Sequence, residues 1–137
     1  MKFAKLAIAS LVLLACWTSY AKAPPKLVDF DRLYEKPDAF DRKLVRVRGF
    51  LSFEPNPHDV WAIWFYSSRE QAVTNPKVCI LISFKGSHLN PGKSLKSGRV
   101  EITARVVALP VRGGKHTPVL TEIRRVDELP VEGEHSP

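Results

Sequence analysis

Sulfur is scarce in this chain: two cysteines and one methionine in 137 residues. Cys16 lies in the first apolar run and Cys79 inside "VCILISF". If Cys16 is removed or modified, Cys79 is left alone, so no internal disulfide is expected in the mature chain. Cys79, with no histidine or basic residue beside it, reads as a small buried hydrophobe rather than a reactive thiol. The four histidines, His58, His88, His116 and His135, lack H-x-x-x-H spacing and a cysteine pair. A zinc site needs three or four converging ligands, so no metal is expected. No serine sits in a G-x-S-x-G elbow. Gly113-Gly114-Lys115-His116-Thr117 lacks the first glycine of a phosphate loop and the helix that would follow it. A hairpin turn is the expected reading there. No apolar run reaches the ~20 residues that cross a bilayer, and there is no internal repeat. These absences count against a disulfide scaffold, a zinc module, a nucleotide-binding loop and the commonest hydrolases. A non-enzymatic protein without a cofactor is the expectation.

What the chain does have begins at its N-terminus. Lys2 and Lys5 precede an uncharged stretch from Leu6 to Ala15, and small residues follow. That order is the pattern of a secretory signal. Two endings compete. Ser19-Tyr20-Ala21 offers small residues at the two positions that matter, for removal of residues 1–21. Leu13-Leu14-Ala15-Cys16 resembles the lipobox of bacterial lipoproteins, which implies removal of residues 1–15 and a lipid on Cys16. Leu14 and Trp17 depart from the usual lipobox pattern. The expected address is outside the cytoplasm: periplasmic, or tethered to a membrane.

The chain carries 21 basic and 14 acidic residues. Loss of Lys2 and Lys5 with the signal leaves 19 against 14, a balance of +5. Such a surplus favours anionic partners such as lipid headgroups, acidic glycans or nucleic acid, and is also ordinary for exported proteins. The 116 residues after position 21 fit one domain with one core.

"KAPPK", residues 22–26, reads as a stiff linker. Asp29 is placed to cap a helical turn bearing Phe30, Leu33 and Tyr34, and Pro37 keeps that helix short. "KLVRVRGFLSF" is the clearest strand, with Val45, Val47, Leu51 and Phe53 on one face and Arg46 and Arg48 on the other. Gly49 interrupts it, as at a bulge or sharp bend. "VWAIWFYSS" is a second strand, with Trp61, Ile63 and Phe65 opposite Val60, Ala62, Trp64 and Tyr66. "REQAVTNPK" has room for one helical turn before Pro76. "VCILISF" reads as a buried third strand. "RVEITARVVAL" is the fourth, its Val100, Ile102, Ala104, Val106 and Ala108 inward and its Glu101, Thr103, Arg105 and Val107 outward. "VLTEIRRV" is the fifth, after a Gly-Gly turn. The expected division is a signal over 1–21 (or 1–15), a linker and helical turn over 22–37, a barrel domain over 38–126, and a flexible tail over 127–137.

Five strands, a glycine-broken first strand in "KLVRVRGFLSF" and a strand entry in "LKSGRVEITARVVAL" resemble the OB-fold of small exported bacterial proteins. The resemblance implies an all-β fold: a small five-stranded OB-like Greek-key barrel with short helical turns. Ala108 stands where a glycine often recurs, and no helix is evident between strands three and four. A small β-sandwich or another five-stranded barrel is the alternative architecture. Secreted thermonucleases combine an OB barrel with acidic metal ligands and paired arginines. Here Glu54 is the only acid near the early strands, so nuclease activity is not expected.

OB-folds bind ligands across their middle strands, with aromatic platforms and basic rims. Trp61, Trp64 and Tyr66 are the candidate platforms, and Arg46, Arg48, Arg105 and Lys115, with Arg124 and Arg125 beyond them, the candidate charge. Three functions are open. One is a non-catalytic exported domain that binds a protein partner or envelope component. A second is a binder of single-stranded nucleic acid or another polyanion, disfavoured if the chain leaves the cytoplasm. The third is a hydrolase with an unrecognised site. The bland alternative for the same residues is core packing for the aromatics and a solvated strand face for the arginines.

Overall fold

The structure, a computed structural model, describes residues 24–53, 62–89 and 95–130. Its elements in chain order are β1 (Leu27–Val28), α1 (Phe30–Glu35), a 3-10 turn (Pro37–Phe40), β2 (Leu44–Ser52), β3 (Ala62–Tyr66), α2 (Arg69–Thr74), β4 (Ile80–Ser83), β5 (Gly98–Pro110) and β6 (His116–Glu128). The sheet runs β1-β2-β3-β4-β6-β5, and β5 pairs back onto β2. That last pairing closes a barrel of five strands, β2 to β6. Within the barrel all neighbours are antiparallel except β4 with β6, and β1 joins β2 in parallel outside it. This strand order, with its one parallel pair, is the OB-like arrangement implied by the glycine-broken first strand.

Strand alternation decides what fills the barrel. Val45, Val47 and Leu51 of β2 turn inward to meet Ile63, Phe65, Ile80, Ile82, Val100, Ile102, Val106 and Leu120, all buried. The end of the barrel is plugged from the N-terminal side. Phe30 and Leu33 of α1 are buried in the same core, and the Phe30 ring lies 5.7 Å from that of Phe65 at 55°. Residues 28–37 of the segment expected to be linker and helical turn are thus part of the folded unit. Asp29 precedes α1 but makes no side-chain cap bond, whereas the Ser68 hydroxyl accepts from the Gln71 amide at the start of α2. The fifth barrel strand runs to Glu128, into the segment read as tail.

Gly49 does something other than form a bulge. β2 is continuous through it. Residues 46–47 pair with β1 on one edge, and residues 50–52 pair with β3 on that same edge. Gly49 is where the edge changes partner. A Cβ there would lie 2.3 Å from the Tyr66 carbonyl oxygen and 2.6 Å from the Phe65 ring. Close backbone approach, one of the uses of a strand glycine, is its role. The bulge falls on β6, where the register with β5 shifts between Thr103 and Arg105. Glu122 takes the left-handed conformation there, φ 47°. Ile123 turns into the core, and its carbonyl accepts from the Ser87 hydroxyl at 2.9 Å.

Candidate functional site

The outer face of the barrel divides into two regions of opposite chemistry. The first is charged. Arg48 of β2 stands directly across from Glu101 of β5. The Arg48 Nε donates to Glu101 Oε2 at 2.8 Å, and the Arg46 Nη1 donates to Glu101 Oε1 at 3.2 Å. The Arg46 Nε also donates to the Pro25 carbonyl at 3.0 Å. Both carboxylate oxygens are used, and Glu101 is only 8% exposed although it points outward. Next to it on β6, Arg125 donates to Asp127 at 2.8 Å. Farther along β5, the Arg105 Nε donates to Glu122 at 2.6 Å and its Nη1 to the Arg42 carbonyl at 2.7 Å. The guanidinium holds the Glu122 carboxyl below the usual glutamate range, by its hydrogen bond first and its charge second. Three of the four expected binding cations, Arg46, Arg48 and Arg105, therefore already have carboxylate partners.

The second region is apolar and lies across β3, β4, β6 and β5. Trp64 pairs with Leu81, Leu81 with Val119, and Val119 with Val107. Paired residues share a face, and the alternate positions Ile63, Ile82, Leu120 and Val106 are all in the core. The row is thus on the outside. Trp64 is 50% exposed, and Leu109, two residues beyond Val107, is 44% exposed. Val119, in the middle of the row, is only 6% exposed. The middle strands of the barrel, β3 and β4, are the strands whose face carries ligands in OB-folds.

The expected aromatic platform is narrower than its three residues. Trp64 presents its indole. Tyr66 shares its strand face but is only 8% exposed; α2 follows it directly and packs against β2 and β3. Trp61 and Cys16 lie outside the described residues. Lys115 stands apart from both regions, at the tip of the β5–β6 hairpin. There it lines an open groove with Lys36, Asp38, Arg112 and His116. A second cavity, about 740 Å³, lies by Phe50, Ser67, Ser68 and Arg69. Ser68 is committed there to capping α2.

Cys79 is half-buried, and burial pushes its thiol above the usual range. Among the described residues, no three His, Cys, Asp or Glu side chains come together as a metal site would require. Sequence reasoning passed over Glu101, Leu81, Val107 and Leu109. The signal for Glu101 was an acid on the outward register of the strand that pairs with the arginine strand. The others needed the barrel order before they could join Trp64. No protein-family model matches the chain, and a search of curated proteins returns no match.

Proposed function

We propose that this chain is a non-catalytic, exported OB-like binding domain that engages a protein partner of the cell envelope through the Trp64 row. One observation carries the reading: an indole half in solvent, continued by Leu81, Val119, Val107 and Leu109 across the middle strands. Aromatic residues are enriched at the energetic centres of protein interfaces, and neighbouring apolar side chains exclude water around them. The polyanion reading needs available cations on a strand face. Arg46, Arg48 and Arg105 are instead engaged with Glu101 and Glu122, which favours the apolar partner. Export rests on the sequence alone, on Lys2, Lys5 and the run to Ala15, and a lipid on Cys16 is the tethered form of the same proposal.

The test is a photo-crosslinking residue at position 81 in intact source cells. The expected result is a discrete protein adduct that persists at raised salt and disappears with Trp64→Ala. An adduct lost on adding salt and indifferent to Trp64→Ala would transfer the reading to a polyanion, whose binding releases counterions.

A further inference from the structure

The groove around Lys115 uses none of the Trp64 row. One wall is the turn from Tyr34 to Asp38; the other is the β5–β6 hairpin from Val111 to Pro118. Its volume, about 880 Å³, falls in the range of small-ligand sites. Three cations line it: Lys36 from the first wall, Arg112 and Lys115 from the second. His116 adds a fourth nitrogen base, in contact with Asp38 across the groove. Glu35 and Asp38 are the acids of the lining. Asp38 is engaged by His116, so cationic groups outnumber free carboxylates.

The two walls are fixed to each other. The Ala108 amide donates to Asp41 Oδ1 at 2.9 Å, Arg105 donates to the Arg42 carbonyl, and the Arg42 amide donates to the Val106 carbonyl at 2.7 Å. At the tip, the Val111 amide donates to the Lys115 carbonyl at 3.0 Å. Gly113 and Gly114 both have positive φ, 102° and 77°, which lets Arg112 and Lys115 flank a tight turn. The cations are thus carried on a braced scaffold and lose less on binding than they would on a free loop. Tyr34 and the half-exposed Val111 supply apolar surface between them.

From this geometry we infer that the groove between the Pro37–Phe40 turn and the β5–β6 hairpin binds a phosphate-bearing ligand. The phosphate pairs with Arg112, Lys115 and Lys36, and the ligand's body lies against Tyr34 and Val111. The guanidinium can take the phosphate through two parallel hydrogen bonds, and the ammonium groups act as point charges. The phosphate can be that of a soluble phosphoester or of a lipid headgroup.

Two probes distinguish these sources: inorganic pyrophosphate, and phosphatidylglycerol vesicles compared with phosphatidylcholine vesicles. Pyrophosphate is titrated into the full-length protein and followed by amide NMR shifts, with vesicle binding measured by co-sedimentation. Pyrophosphate, if it binds, is expected to move the amides of Lys36 and of Arg112 to His116 ahead of those of Lys77, Lys85 and Arg124, and phosphatidylglycerol vesicles, if they bind, to bring down the wild type and not the groove variants. The double variant R112A/K115A is expected to weaken binding by about tenfold or more, the effect of losing charge-assisted hydrogen bonds. Lys36→Glu, on the opposite wall, should weaken it as well while leaving the hairpin intact. Pyrophosphate alone binding assigns a soluble phosphoester; phosphatidylglycerol vesicles alone assign a headgroup. Shifts spread evenly over all surface lysines overturn the inference. So do an affinity unchanged in both variants, and no binding in either arm.

Discussion

The two outer regions of the barrel differ in what their side chains have left to offer. Around Glu101, two guanidiniums share one carboxylate and use both its oxygens. Around Trp64, an indole half in solvent and the exposed Leu109 flank a row whose middle, Val119, is covered. A charged strand face that looks like a binding site in sequence can therefore be closed within the fold, and a half-apolar strand that looks like core can be the open one. The lesson is that charge marks a site only after its internal partners are accounted for.

Substitutions can break that contrast. The largest effect is expected at Gly49, on the strand that carries both arginines and leads to β3. Gly49→Ala places a methyl against the Tyr66 carbonyl and the Phe65 ring. The expected cost is about 3 kcal/mol, at the upper end for overpacking, with a melting temperature lower by roughly ten degrees or more. Thermal unfolding followed by circular dichroism checks it, and a change within two degrees would disprove the close approach.

Glu101→Gln should come next. It removes the charge that Arg46 and Arg48 share and leaves two like charges adjacent. Because both guanidiniums are partly in water, the expected loss is about 1–2 kcal/mol. Urea denaturation measures it; Arg48→Ala should cost less, since Arg46 still serves the carboxylate. If Glu101→Gln is neutral, the charged region contributes nothing to holding β2 on β5.

Trp64→Ala should change stability by only about 0.5 kcal/mol while removing the partner adduct. A large destabilisation would make Trp64 a core residue and end the comparison. The smallest effect is a pH one. The Glu122 carboxyl is held low by Arg105. A depressed carboxylate contributes stability above its ordinary pKa and loses it as pH falls through the depressed value. The Glu122 carboxyl carbon, followed by NMR, should titrate below the usual glutamate range and return to it in Arg105→Ala.

Much of the barrel was readable from alternation. β2 and β5 were laid out by their inward valines and isoleucines, and β5 begins at Gly98 as its strand entry implied. The helical turn before Pro76 is α2. Features that depend on distant neighbours were not readable. Two residues of parallel strand, Leu27–Val28, carry no periodicity. The β6 bulge uses Glu122 where a glycine would have announced it. Tyr66 alternates outward with Trp64, yet one is 8% and the other 50% exposed. The Arg48–Glu101 pair spans 53 residues, so it exists only once β2 and β5 are side by side. The groove around Lys115 likewise joins a turn and a hairpin 78 residues apart at Asp38 and His116.

β1 also determines how the barrel would respond to being pulled. The Arg46 amide donates to the Lys26 carbonyl at 2.9 Å and its Nε to the Pro25 carbonyl. A load on the N-terminus therefore enters the domain at the middle of β2 and not at the 3-10 turn. Because β1 runs parallel to β2, its few hydrogen bonds would meet that load together, in shear, before the barrel felt it. Release of β1 would therefore yield to the load without opening the barrel, as a short mechanical fuse ahead of β2.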